Sequence, residues 1–315
     1  MENFQTFKPE HEYAIVMTSR GWGLHPGMNA VINGLDYYDN EVDLFLIHGN
    51  DENEYLERIK TIPNLKVKII PVPIDICRTL WPDYKKDEGW QNIFFRYKVI
   101  NLVGQKYHSI MMCDSDMFCC NNIMKYFEVV TGSNLIMLPS NPWGSSVEAC
   151  KTNWARICTG ASAPPFHCMP LFLDAKRHQE FLNKVWERGK EEAYLDMEIL
   201  NRTIFAEKMT DKIFTLPNIL WVHTSWYYDM VKRVMYDGKI YLESMEERIN
   251  FVHRRWWMSE VCKKYVEDID KDFCPQCYVK GRNNVKIFWE EYKRLNQTHK
   301  IKLDYDFRWF EDIKS

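Results

Sequence analysis

The chain has 315 residues, 46% of them hydrophobic, with 41 Lys+Arg against 44 Asp+Glu and a formal net charge of −3. That is enough apolar material for one large domain or one domain with an appendage, and the balance advertises no strongly basic nucleic-acid surface, although a neutral total can hide a local patch. The 12 tryptophans suit sugars and bases as well as an ordinary core, and the core is the commoner use.

The first residues, MENFQTFKPEHEYAIVMTSRGW, hold no basic segment followed by an apolar one, so no secretory signal is expected. No run of about 18 apolar residues follows anywhere, which predicts no membrane span and a cytoplasmic protein with no membrane partner. The 10 cysteines then read as reduced thiols. Cys274-Pro-Gln-Cys277 is a lone CxxC, with Cys262 upstream as the one added thiol that would make a three-cysteine metal site. The sequons at Asn201 and Asn296 carry little weight without secretion.

In chain order, Tyr13 to Thr18 reads as a buried strand entering a glycine-containing loop, Ser19 to Gly23. Pro26 to Tyr38 reads as a helix with Met28, Val31, Ile32 and Leu35 on one stripe. Val42 to His48 is a second strand, Glu52 to Thr61 a short charged helix, and Val67 to Val72 a third strand. This alternation predicts a parallel sheet with crossover helices. Pro73 to Gly89 looks irregular. Asn92 to Gln105 is amphipathic, with Phe95, Val99, Leu102 and Val103 inward, and His108 to Cys113 is a fourth strand. Leu135 to Leu138 and Met169 to Leu173 are predicted strands, and Lys176 to Arg188 and Asp196 to Ala206 predicted helices. Asn141 to Pro165, rich in Gly, Ser and Pro, reads as a long loop or lid. Residues 240–315 read as helical in pieces.

The fourth strand runs straight into Asp114-Ser115-Asp116. In open α/β sheets ligands bind outside the carboxyl ends of the strands. If the segment is extended, the two aspartates point the same way and Ser115 points elsewhere. Carboxylates at close range repel unless a cation lies between them, and hard ions such as Mg²⁺ or Mn²⁺ suit oxygen ligands. The alternative is a plain strand-end turn, where Asp and Ser are common. Cys113 fits packing in the sheet better than ligation of such an ion.

The segment FFRYKVINLVGQKYHSIMMCDSDMFCCNNI resembles the core of GT-A-fold glycosyltransferases, in which a helix bearing Arg or Lys leads to a strand, Asp-x-Asp and a polar loop. The closest likeness is to the glycogenin-like glycosyltransferases of family 8. AIVMTSRGWGLHPGMNAVINGLDYYD resembles their first strand, nucleotide loop and first helix; PPFHCMPLFLDAKRHQEFLNKVWE, LDMEILN, FTLPNILWVH and NFVHRRWW resemble later elements in order. The likeness spans residues 13–257, and the Asp-x-Asp block is its most specific part. Three departures stand out. His167-Cys168 replaces Asn-Ser-Gly, Met197 replaces a glutamine, and Arg254-Arg255-Trp256-Trp257 replaces the usual Gly and Lys after His253.

The resemblance implies an α/β, Rossmann-like GT-A domain with a mostly parallel sheet over residues 1–257, and a helical C-terminal extension, 258–315, packed on it. It implies a nucleotide-sugar donor, most simply a UDP-sugar, held through Mn²⁺ or Mg²⁺. Asp114 would contact ribose or metal, Asp116 would bind the metal and His253 would complete the set. Thr18 and Arg20 would line the nucleotide pocket. Arg96 and Lys98 would reach donor phosphate or sugar, and Arg254 or Arg255 would grip the diphosphate. Asp196 would sit by the donor sugar or acceptor. Each has a plainer alternative: a solvated helix residue for Arg96 and Lys98, a core histidine for His253, a helix N-cap for Asp196. Trp221, Trp226, Trp256 and Trp257 would either stack on a ligand or pack. The acceptor stays open among protein, glycan and nucleic-acid base, and family 8 kinship would imply retention of anomeric configuration. A nucleotidyltransferase on a similar fold is the alternative enzyme, although Ser19 to His25 is a thin version of the basic glycine-rich loop it needs. A non-catalytic nucleotide-sugar-binding protein is the alternative outside catalysis.

Overall fold

The computed structural model describes residues 7–19, 24–49, 53–84, 91–115, 117–141, 164–192, 196–216, 221–223, 230–253 and 275–302. Its centre is a seven-stranded sheet of order β3-β2-β1-β4-β7-β6-β8. These strands are β1 (Tyr13–Thr18), β2 (Val42–His48), β3 (Val67–Pro73), β4 (Ser109–Asp114), β6 (Ile136–Pro139), β7 (Leu171–Leu173) and β8 (Ile213–Leu216). β3, β2, β1 and β4 run parallel. β7 runs antiparallel to both β4 and β6, and β8 returns to parallel beside β6. Every residue of β2 and β4 is buried, as expected of a parallel sheet covered on both faces.

The covering helices are α1 (Leu24–Tyr37), α2 (Asn53–Lys60), α3 (Ile74–Leu80), α4 (Phe95–Val103), α5 (Met124–Val130), α6 (Gln179–Glu191) and α7 (Asp196–Ala206). The α1 stripe of Met28, Val31, Ile32 and Leu35 is buried as the periodicity predicts. On α4, Phe95, Val99 and Val103 are buried, but Leu102 is not. Tyr97 and Ile100 go inward instead, because α4 is wedged between the sheet and α6 and buries more than one face. The stretch expected to be irregular contains α3, whose Ile74 and Cys77 are buried.

Two smaller sheets complete the described fold. One has the order β5-β13-β9, from β5 (Met117–Cys119), β13 (Phe251–His253) and β9 (Trp221–His223). The other is the antiparallel meander β10 (Lys232–Tyr236), β11 (Lys239–Ser244) and β12 (Glu247–Arg248). Residues 240–253, expected to be helical in pieces, are therefore strands. Alternating Ile240, Leu242 and Ser244 build β11, and an Asp237-Gly238 turn with positive φ at both residues suits a two-residue hairpin. α1 rides tightly on β5. A Cβ on Gly34 would come 2.5 Å from the Cys119 carbonyl oxygen, so glycine is required there.

The C-terminal helix α8 (Pro275–Thr298) packs on α1. Phe288, Trp289, Tyr292 and Leu295 join Ala30, Tyr38, Phe118 and Val252 in a second apolar cluster. Asn201 and Asn296, the two sequon asparagines, are fully buried, and both side chains bond to backbone groups. Cys77, Cys113, Cys119, Cys120 and Cys168 are buried thiols, in keeping with a reduced set. Burial pushes the Cys77 and Cys119 thiols up to about 12. Cys262 and Cys274 lie outside the described residues. No helix among the described residues is long and apolar enough to cross a membrane.

Candidate active site

Asp114 ends β4, in register with Thr18 at the end of β1. Both are buried at the carboxyl edge of the parallel strands, where α/β folds bind ligands. The chain does not stay extended past Asp114. Ser115 is a buried turn residue, and β5 begins at Met117 and pairs antiparallel with β13. That pairing sets His253 opposite Met117, just past the Asp-Ser-Asp segment. Asp116 itself lies outside the described residues, as do Arg20, Arg254, Arg255, Trp226, Trp256, Trp257 and residues 142–163 of the expected lid.

Arg96 is the hub of the site. It sits in the first turn of α4 and is fully buried. Nη1 donates to Asp114 Oδ1 at 2.6 Å and to the Cys113 carbonyl at 3.1 Å. Nη2 donates to Asp196 Oδ2 at 2.9 Å, and Nε to the Ile93 carbonyl at 3.1 Å. The fork geometry of guanidinium makes this possible, and a lysine could not serve two carboxylates and two carbonyls at once. Asp196 opens α7, where a carboxylate also meets the positive end of the helix dipole. The guanidinium supplies one positive charge against two carboxylates, so the trio as a unit is one negative charge in excess.

His253 is buried and faces the other oxygen of Asp114, with Nε2 3.8 Å from Oδ2. That separation is too long for a hydrogen bond. It is short enough for one small divalent ion to touch both atoms, since such ions sit about 2.1 Å from their ligands. Among the described residues, no group of three or more His, Cys, Asp or Glu side chains gathers to hold a metal. The donor set that the structure brings together is therefore Asp114 and His253, one oxygen and one nitrogen.

Several expected residues converge and one does not. Thr18, Arg96, Asp114, Asp196 and His253 gather at one edge of the sheet. Lys98 goes elsewhere. Two residues along a helix lie on nearly opposite faces, and Lys98 Nζ donates to Asn183 Oδ1 on α6 at 3.2 Å, over the Trp186 ring. Arg96, expected to reach donor phosphate or sugar, is buried against the two carboxylates.

Beside Thr18, the structure assembles groups that the sequence did not single out. The Thr18 hydroxyl and Nε2 of His48, at the ends of β1 and β2, are buried with no hydrogen-bond partner among the described residues. So is the Tyr97 hydroxyl, and burial together with the negative charge of Asp196 raises it well above the usual phenol range. The ring of His167 lies edge-on to His253, with centroids 5.3 Å apart. His167 was visible in the sequence only as a departure from Asn-Ser-Gly. Tyr97 reads as one more apolar residue of an amphipathic helix, so nothing in the sequence marked it.

No family model matches the chain, and no curated protein matches it. Solved structures do. The bifunctional glycosyltransferase WbbM, in its apo form, aligns over 92% of this chain at 13% identity with a TM-score of 0.54, and this chain spans 52% of WbbM. The galactosyltransferase LgtC, solved with donor and acceptor sugar analogues, aligns over 84% of this chain and 99% of its own at 10% identity, with a TM-score of 0.51. The chain has the GT-A fold, the α/β scaffold of these glycosyltransferases. At such identities the fold is what is shared, and the narrower glycogenin-like kinship is not established by it.

Proposed function

We propose that this chain is a cation-dependent glycosyltransferase that takes its sugar from a nucleotide-sugar donor, a UDP-sugar by the resemblance of its motifs. The observation that carries this reading is the meeting of Asp114 Oδ2 and His253 Nε2, 3.8 Å apart, at the carboxyl edge of a GT-A sheet. Two residues so distant in the chain have no apolar reason to face each other there, and an oxygen and a nitrogen at that separation suit one small divalent ion.

Asp114 and His253 would hold Mn²⁺ or Mg²⁺, with Asp116 as the third ligand that the motif implies. The bound ion supplies Lewis-acid stabilisation of the diphosphate as it leaves. The protein's own groups prepare that step. Arg96 fixes one oxygen of Asp114, which leaves the other turned to His253. The same guanidinium fixes Asp196 at the start of α7, within the site rather than in solvent. The unpartnered Thr18 hydroxyl offers a hydrogen-bonding contact to the nucleotide. Arg20, Arg254 and Arg255 are the further phosphate contacts of this reading. Transfer would proceed with retention at the anomeric carbon.

The test uses a panel of nucleotide sugars with Mn²⁺ or Mg²⁺ and reads release of free nucleoside diphosphate. One donor, with UDP-sugars first, should give release that falls at least about 100-fold in Asp114→Asn and Asp116→Ala, a loss of the size seen when transition-state charge stabilisation is removed. The anomeric proton of the product by NMR reads retention directly. Release that both variants leave intact would overturn the reading, as would pyrophosphate release from a nucleoside triphosphate in place of diphosphate release.

A further inference from the structure

Two histidines meet at this site, and only His253 has a part in the function proposed above. The His167 ring packs against it at an interplanar angle of 78° with centroids 5.3 Å apart, and both residues are buried. His253 thus has the His167 ring against its own and Asp114 near its Nε2.

His167 is itself held from several directions. Its backbone N–H donates to the Pro139 carbonyl at 2.9 Å, which ties it to the end of β6. Its Nδ1 lies 3.1 Å from the Met169 carbonyl oxygen. Phe166, just before it, is clamped by a single side chain on α7. Asn201 Oδ1 accepts from the Phe166 N–H at 3.1 Å, and Asn201 Nδ2 donates to the Phe166 carbonyl at 2.8 Å. Phe166 also bridges to Ser140. The loop that presents His167 is therefore fastened to both the sheet and α7.

In metal sites, the group that orients a ligating histidine matters nearly as much as the ligand, and it is usually a carboxylate, a carbonyl or a water on the other ring nitrogen. Here a second imidazole presents its ring to the first. Edge-to-face contact fixes the tilt of a ring as well as filling space. Turning the His253 ring about its Cβ–Cγ bond would aim the Nε2 lone pair away from Asp114.

We infer that His167 is a positioning residue for His253, its ring holding the His253 imidazole in the orientation that directs Nε2 at Asp114 and so readies the pair for a divalent cation. The inference rests on the cation-dependent reading above. It is tested on the full chain by titrating Mn²⁺ in the presence of saturating UDP, followed by electron paramagnetic resonance, for wild type, His167→Leu and His167→Phe, with thermal unfolding of each. His167→Leu should weaken Mn²⁺ binding about 10–100-fold, the range for loss of an orienting partner, and His167→Phe should stay within about threefold of wild type. Unfolding temperatures should stay alike, and should the leucine variant fail to fold, His167→Gln makes the same comparison. Leucine binding Mn²⁺ as tightly as wild type would overturn the inference, and so would phenylalanine binding as weakly as leucine. In both cases wild-type binding stays intact and the function proposed above stands. Wild type with no saturable Mn²⁺ site takes down that function and this inference together.

Discussion

Arg96 shows how much of this site depends on one side chain. A fully buried guanidinium is costly to desolvate, and it persists here because four of its contacts are hydrogen bonds, two of them to carboxylates. Removing one partner of such a cluster strands the others. Arg96→Ala should cost about 3–5 kcal/mol of stability, since it leaves two buried carboxylates without their cation. Arg96→Lys should recover only part of that, because an ammonium cannot span both. Urea midpoints of the two variants check the order, and an alanine variant as stable as wild type would show that the cluster is not held as drawn. The sequence placed Arg96 on a helix before the Asp-x-Asp motif. It gave no sign that Asp196 would share the same guanidinium, because that contact needs the packing of α7.

Elements position these residues, and α6 shows how an element's end responds to pH. His178 stands at the N-cap of α6, nearly fully buried, with Nε2 unpartnered among the described residues. Burial depresses its pKa to about 4, with Arg177 and Lys212 adding to the fall and Asp174 opposing it. A depressed histidine pKa means that the unfolded chain binds more protons than the folded one between about pH 4 and 6.5. Stability therefore rises with pH across that window and is lost on acidification, by up to roughly 3 kcal/mol from this group. Wild type should show this slope in urea unfolding at successive pH values, and His178→Asn should flatten it. Equal slopes in the two proteins would place the effect in other groups. The helix itself was legible from its periodicity; its start was set three residues early, at Lys176. The Lys176 and Arg177 N–H groups turn instead onto the Asp174 carboxylate, and the helix begins at Gln179.

At the scale of the whole molecule, the C-terminal helix is fastened to α1 by polar groups as well as by the apolar cluster. Asn33 Nδ2 donates to the carbonyls of Leu295 and Ile301, each at 2.7 Å, and Asn33 Oδ1 accepts from the Ile301 N–H at 3.1 Å. Asp36 adds His299, Lys300 and the Lys66 N–H. Burial raises the pKa of its carboxyl, and these three partners outweigh that and lower it overall. A carboxylate held low stabilises the fold above its ordinary range and loses that contribution as pH falls through its folded pKa, so strong acid should loosen this end. Asn33→Leu removes every side-chain bond at once and leaves buried backbone groups without partners. It should cost about 2–3 kcal/mol and release α8 to limited proteolysis before the central sheet unfolds. Proteolysis that cuts both regions together would mean that the helix and the sheet unfold as one unit.

The sequence by itself determined the strand and helix alternation from Tyr13 to Asp114 apart from α3, because buried parallel strands are short continuous apolar runs and their helices repeat at 3.6 residues. It also determined the place of the Asp-Ser-Asp segment at a strand end, and the likeness to GT-A enzymes that the solved structures bear out as a fold. Only the tertiary structure decided the rest. The reversed direction of β7 against β4 and β6 is set by pairing between strands, which no local pattern encodes. The pairing of β5 with β13 sets His253 against Asp114 through hydrogen bonds between segments far apart in the chain. The third dimension also turned Lys98 away from the site, made Arg96 a brace between two carboxylates and laid His167 against His253. Periodicity reports which face of an element is buried, and it is silent on what that face will meet.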